Sequence, residues 1–430
     1  MRDRVYTKLL EQIQEIEIID THEHIMSQEE VNQQPLHLFR AFENSYARLD
    51  FITAGMPPEI WEKGDPREIW EVWRRFQNHV GLTCFVRTII RALQDLYGLE
   101  GGRITEDNWP ELSEKIIEAY ERRDWYEHVL TKRARIKVSF LDTFWSVEKF
   151  AFNPTLFVPV LRTNPLILGR NFVSQYPRGK IPPTTVEDLA REWDVDLEGF
   201  ESYLMLIDTA IRKYKDRGAP AVKIGTAYER SLLFQRVSRD EAARLYAKPS
   251  TELTLDERKK LQDYMAHYVI GRATEENLPV QIHTGILARN ANTLANSNPE
   301  HLNNLFLEYP ETRFVLLHLS FPYMRQAFSL SKMFPTVFLD FCWVPMLSSS
   351  AAAQALDEFL DLVPHNKLMW GGDSYRVEEA YAAASMAREV IASVLAARVN
   401  QGDMDLQMAV SVSQAILHGN ARDFYGGLLH

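Results

Sequence analysis

Cysteine is nearly absent: only Cys84 and Cys342 occur in 430 residues. Two are too few for a disulfide framework or a cysteine-rich zinc site, and they suit a reducing compartment. Blocks rich in lysine and arginine are missing too. The chain carries 48 basic against 59 acidic residues, a formal net charge of -11. Nucleic-acid binding depends on neutralising phosphates, so that balance argues against it. The opening segment MRDRVYTKLLEQIQ is charged and amphipathic and lacks the apolar centre of a signal peptide. No run reaches the uncharged apolar length that spans a bilayer. These gaps point to a cytoplasmic protein without a membrane or nucleic-acid partner.

Core-forming material, by contrast, is plentiful, at 46% hydrophobic residues. Val5, Leu9, Leu10 and Ile13 share one face of a first helix. Residues 15–24, EIEIIDTHEH, then form a short β-branched apolar run with a polar end. Buried parallel strands that deliver side chains to a site have this form. It recurs at 136–142, 156–162, 221–228, 279–285, 314–320, 336–342 and 368–374. Eight strands alternating with helices predict right-handed βαβ units closed into an α/β (β/α)8 TIM barrel. Pro159 is the awkward residue, because it cannot donate to a central ladder. The expected organisation is one domain over 1–430, with a mostly helical cap inserted at about 25–135 after the first strand. There Ile69, Trp73, Phe76 and Val80 repeat at helical spacing, as do Val86, Ile90, Leu93 and Tyr97. The cap tryptophans read as core. A smaller insertion at 163–220 carries a Pro-rich turn, Ile181-Pro182-Pro183.

His22 and His24 are two apart on a strand, so both imidazoles face the same way. Two such rings suit a divalent metal. Alone, a His-x-His pair is an ordinary polar strand end. The other strand ends change this: His283 closes the fifth run, His318 the sixth and Asp373 the eighth. Sites of this fold lie at the C-terminal ends of the strands. His22, His24 and Asp373, with or without His283, supply nitrogen and oxygen ligands and leave a position for water. Asp373 can also accept the water's proton. His318 is placed to polarise a substrate carbonyl or to ligate a second ion. Glu23 alternates to the opposite face. Arg162, Tyr228, Arg230 and Arg376 follow strand ends and are candidates to hold a substrate carboxylate. The remaining histidines read as surface or satisfied core.

With these residues the sequence resembles the amidohydrolase superfamily, from Asp20-Thr21-His22-Glu23-His24 to Asp373 and the tail Gly419-Asn420-Ala421. Within it, the stretches 278–285, 314–323 and 337–341 resemble the amidohydrolase domain of FluG-type and nodulin-type glutamine synthetase fusions. With the barrel pattern running to the end of the residues read, a synthetase-like half is not expected. Uronate isomerases are similar in Asp20-Thr21-His22-Glu23-His24 and in Asp373-Ser374. The resemblance implies His22, His24 and Asp373 as metal ligands, His283 as a ligand or close to one, and His318 as a catalytic or second-metal residue. It also singles out Lys223, since two-metal members bridge their ions through a carbamylated strand-four lysine. The alternatives are a lysine paired with Asp373 or with a substrate carboxylate, or one displaced from the ligand position. One ion is favoured over two, with zinc the expected metal and manganese or iron the alternatives. The expected activity is hydrolysis of a C–N (amide) or ester/lactone bond of a small, carboxylate-bearing molecule. A uronate-type isomerase and a metal-dependent decarboxylase use nearly the same ligands. The expected partners are the small-molecule substrate and, in a homo-oligomer of unspecified size, further copies of the chain.

Overall fold

A computed structural model describes residues 4–142, 146–172, 184–288 and 291–426. The turn expected at 181–183 lies outside them. Eight strands form one sheet in chain order: β1 (Ile18–Glu23), β2 (Ile136–Asp142), β3 (Phe157–Arg162), β4 (Val222–Ile224), β5 (Val280–Ile282), β6 (Phe314–Leu316), β7 (Val337–Asp340) and β8 (Leu368–Met369). This is the (β/α)8 barrel expected from the alternating pattern. Pro159 does lie within β3. The registered pairs of β3 with β4, Leu161↔Val222 and Arg162↔Lys223, begin two residues past it.

Several strands are shorter than their apolar runs. β4 gives way to a 3-10 turn at Thr226–Tyr228. β6 gives way to a turn in which His318, Leu319 and Ser320 all have positive φ (62°, 45° and 57°). Such backbone cannot continue a ladder and re-aims side chains at the strand ends.

The chain divides into two compact units. The first comprises Met1–Ser139, Ala288–Ala291 and Phe341–Ala421, and the second comprises Phe140–Leu287, Asn292–Asp340 and Arg422–His430. Within the first, the last strand lies beside the first. Thr21 N–H donates to the Trp370 carbonyl (3.2 Å), Asp373 N–H to that of His22 (2.8 Å), and His24 N–H to that of Ser374 (3.0 Å). The insertion after β1 is mostly helical, as expected, and includes helices Pro66–Val80 and Cys84–Tyr97. Its core is aromatic: Phe39, Phe51, Trp61, Trp70 and Trp73 are all buried. Phe51 and Trp73 stack with centroids 5.2 Å apart, so these tryptophans are packing residues.

Helix Val377–Gln401 is long and apolar enough to cross a membrane by length and composition, although charged residues such as Arg388 and Glu389 interrupt it. However, 78% of its most apolar stretch is buried inside the protein. It packs against helices Arg4–Gln14 and Cys84–Tyr97. A helix enclosed on most sides is apolar nearly all round for that reason. Within the second unit, β3 to β7 pair in parallel, for example Ile224↔Ile282 and Ile282↔Leu316.

Candidate metal centre

In the first unit, β1 carries His22 near its end, and His24 follows one residue beyond it. Their rings sit edge to face, with centroids 4.8 Å apart. Nε2 of His22 lies 3.8 Å and Nε2 of His24 3.7 Å from the same atom, Oδ1 of Asp373. One ligand atom from each of the three residues falls within 4.8 Å of the others, and all three residues are buried. Tetrahedral ligands at about 2.1 Å from an ion stand ~3.4 Å from each other. Two nitrogens and one carboxylate oxygen at this spacing fit a divalent metal. The spacing is also too long for direct hydrogen bonds.

The local sequence explains how Asp373 reaches the histidines. A Cβ on Gly371 would lie 2.6 Å from the His22 backbone nitrogen, and one on Gly372 would lie 1.9 Å from Glu23 Oε1. Only glycines let this segment press so closely on β1. Asp373 then takes a φ of +58°, a strained conformation for a non-glycine residue.

A buried acidic layer supports the trio. Asp20 Oδ1 accepts from the backbone N–H of Gly372 (2.9 Å) and of His22 (3.3 Å), and Oδ2 accepts from the Ser139 hydroxyl (3.2 Å). Glu23 accepts from the Ser374 N–H, which ties the residue after Asp373 to β1. Burial pushes the Asp20 carboxyl up to about 7 and holds Glu23 well above its usual range, with Asp20 itself adding to the rise. Glu23 is fully buried rather than packed outward. The cap adds Tyr46, whose hydroxyl donates to Asp373 Oδ1 (2.8 Å). Glu379 receives the N–H of Tyr46 (3.4 Å) and of Tyr375 (2.9 Å), and burial raises its carboxyl to about 8. Neither Tyr46 nor Glu379 carried a signal in the sequence.

The second unit holds a separate polar cluster. Arg162 donates bidentately to Asp142 (3.0 and 2.9 Å), and Lys223 Nζ lies 3.4 Å from the same carboxylate. Lys223 thus has Asp142 as a partner, a residue the sequence reading passed over. His283 Nε2 meets the Ile286 carbonyl at 3.0 Å, and His283 Nδ1 meets His318 Nε2 at 3.1 Å. A carbonyl only accepts, so His283 donates from Nε2 and receives the His318 proton at Nδ1. Burial and the Lys223 cation lower His283 to about 3, so the ring is neutral. Tyr228 packs on His283 with centroids 4.9 Å apart.

The remaining candidate arginines, Arg230 and Arg376, have protein groups beside them. Arg230 binds Asp263 and the Leu233 carbonyl and lies over the Phe234 ring. Arg376, in the first unit, is buried 3.6 Å from Glu378 and over the Tyr120 ring at 5.0 Å. Of the residues singled out in the sequence, His22, His24 and Asp373 come together as one ligand group. Arg162, Lys223, Tyr228, His283 and His318 lie in the other cluster.

A family model described as Amidohydrolase matches residues 184–427, more than half of the chain. Over 176 residues the chain is 36% identical to the protein fluG of Emericella nidulans; the match covers 39% of this chain and 20% of that protein. The chain therefore spans about a fifth of the length of that relative. Among solved structures, the uronate isomerase of Thermotoga maritima matches with a TM-score of 0.81 at 15% identity, over 99% of this chain and 98% of that one. The glucuronate isomerase of Caulobacter crescentus matches at 0.77 and 17%, over 99% and 96%. A Lactobacillus casei protein assigned to the metal-dependent hydrolases matches at 0.69 and 17%, over 97% of each chain. At these identities the structural matches speak to the fold.

Proposed function

Because the chain belongs to the amidohydrolase family, we propose that it hydrolyses a C–N (amide) or ester/lactone bond of a small molecule at a single divalent ion held by His22, His24 and Asp373. The observation that carries this reading is the convergence of both Nε2 atoms on Asp373 Oδ1 at 3.7–3.8 Å. An ion bound there would lower the pKa of water toward neutrality and polarise the scissile carbonyl. Asp373 then serves as proton acceptor, held in place by its strained backbone and the Tyr46 hydroxyl. Zinc suits the nitrogen–oxygen ligand set.

The Asp142–Lys223 contact supports one ion rather than two. Carbamylation would turn Lys223 into an anion beside a buried carboxylate, and at 3.4 Å the two would repel. The neutral ammonium–carboxylate pairing is the lower-energy arrangement.

A second reading is favoured by one contact. The Tyr46 hydroxyl donates to Asp373 at 2.8 Å, which puts a proton donor beside the proposed base, an arrangement that suits moving a proton between substrate atoms. This supports a sugar-acid isomerase. Profiling with carboxylate-bearing amides, esters and lactones, and with uronates, separates the two. Product formation with net addition of water supports the hydrolase. Turnover of uronates alone, with no water added, would overturn it.

A further inference from the structure

A second polar site lies in the first unit, at the other end of β1. It is a cleft of about 170 Å³ whose polar lining is Gln14, Arg91, Arg133, Tyr381, Ser385, Arg388 and Glu389. Tyr381, Ser385 and Arg388 share one face of helix Val377–Gln401, spaced four and three residues apart. Gln14 ends the first helix, Arg91 comes from helix Cys84–Tyr97, and Arg133 closes the segment before β2.

The charges here do not balance. Arg91 binds Asp95 and, at 3.0 Å, Glu389, and the nearby Glu15 pairs with Arg135 at 3.0 Å. Arg388 is 5% exposed, yet its guanidinium meets only backbone carbonyls: those of Ile13 (3.3 Å), Ala134 (2.9 Å) and Ile16 (2.8 Å). Arg133 donates to the Asp95 carbonyl at 2.8 Å and lies 5.6 Å above the Tyr381 ring. Among the described residues, neither Arg388 nor Arg133 has a carboxylate partner. A buried cation held by neutral acceptors alone is costly. Its surroundings show that cost: desolvation and the neighbouring Arg135 push the Arg388 guanidinium down to about 10. At neutral pH it remains charged, behind a cleft large enough for a small ligand.

We propose that this cleft binds a small multivalent oxyanion, a phosphate group or a polycarboxylate, through Arg133 and Arg388. Guanidinium groups hold such groups by paired, charge-assisted hydrogen bonds. The site is remote from the metal ligands. Ile16 precedes β1 and His22 lies near its end, six residues on, or ~20 Å at ~3.3 Å per residue. A ligand here would join the first helix, helix Val377–Gln401 and the entry to β2, and so would stabilise the first unit by binding the folded form alone.

The test is calorimetric titration of the metal-loaded protein with inorganic phosphate and, separately, with citrate. Wild type should bind at least one of them saturably, and more weakly as salt is raised. Binding of phosphate alone points to a phosphorylated ligand, and binding of citrate alone points to a polycarboxylate. Arg133 is exposed, so Arg133→Ala should fold and keep its metal, yet bind at least tenfold more weakly, with Arg133→Lys in between. Absence of saturable binding of either anion to wild type, or wild-type affinity in Arg133→Ala, would overturn the proposal. Neither result bears on the metal centre, whose ion content is read separately on the same samples.

Discussion

At the end of β1, two imidazoles aim Nε2 at one carboxylate oxygen from 3.7 and 3.8 Å. Beyond β5 and β6, two others meet each other at 3.1 Å, and one of them also meets a backbone carbonyl. Both pairs are buried histidines at strand ends, and in sequence all four stand out as candidates for the site. What separates them is the state of their donor atoms. In the first pair the donors converge at ligand spacing around an anionic oxygen. In the second, both nitrogens of His283 are already used within the protein. Position at a strand end brings a side chain to the site, and its hydrogen-bond partners decide what it can do there.

The contrast is open to direct attack. The largest effect is expected from Asp373→Asn, which removes the shared oxygen anion and the proposed base together. Steady-state kinetics on any substrate found by profiling should show kcat down by at least ~10³-fold. A drop of less than tenfold would mean the first cluster is not where the chemistry happens.

Lys223→Met probes the second cluster. It breaks the buried ion pair with Asp142, at a cost on the order of 3–5 kcal/mol in denaturant unfolding. Ion content should stay at wild-type level; a fall to half would identify Lys223 as a bridge between two metals.

A pH profile sharpens the same point. His283 is neutral in the fold, with its pKa lowered from 6.5 to about 3 by burial and by Lys223. Below pH 6.5 the unfolded chain takes up a proton that the folded chain refuses, so stability should fall as pH drops from about 6.5 toward 3. The slope is at most ~1.4 kcal/mol per pH unit. His283→Gln should remove that contribution, and an unchanged profile would count against the neutral, hydrogen-bonded ring.

The smallest effect is expected from Tyr46→Phe. It deletes one hydrogen bond to Asp373, so about tenfold in kcat is expected, with ion content unchanged. A much larger loss confined to kcat would instead favour the proton-shuttling reading.

Much of this arrangement is legible in the amino-acid sequence, for physical reasons. A strand's period of two puts His22 and His24 on one face whatever surrounds them. A β-branched apolar run ending in polar residues marks a buried strand and its open end, and β2 begins and ends where its run does. Other features depend on tertiary contacts that no local pattern encodes. Tyr46 lies 327 residues from the carboxylate it touches, on an inserted cap whose packing sets its aim. Asp142 reads as an ordinary strand end until Arg162 and Lys223 close on it. Arg230 and Arg376 show the same dependence on tertiary contacts. Each follows a strand end, yet Asp263 and Phe234 draw the first away, and Glu378 and Tyr120 the second. Helix Val377–Gln401 shows that a long apolar stretch can be demanded by burial alone.

The account rests on His22, His24 and Asp373 as the ligands of one ion. Its most direct test is elemental analysis of freshly purified wild type beside the His22→Ala, His24→Ala double variant, with folding checked by circular dichroism. The account predicts about one divalent ion per wild-type chain and almost none in a folded double variant. Full ion content in the double variant, or two ions per wild-type chain, would contradict it.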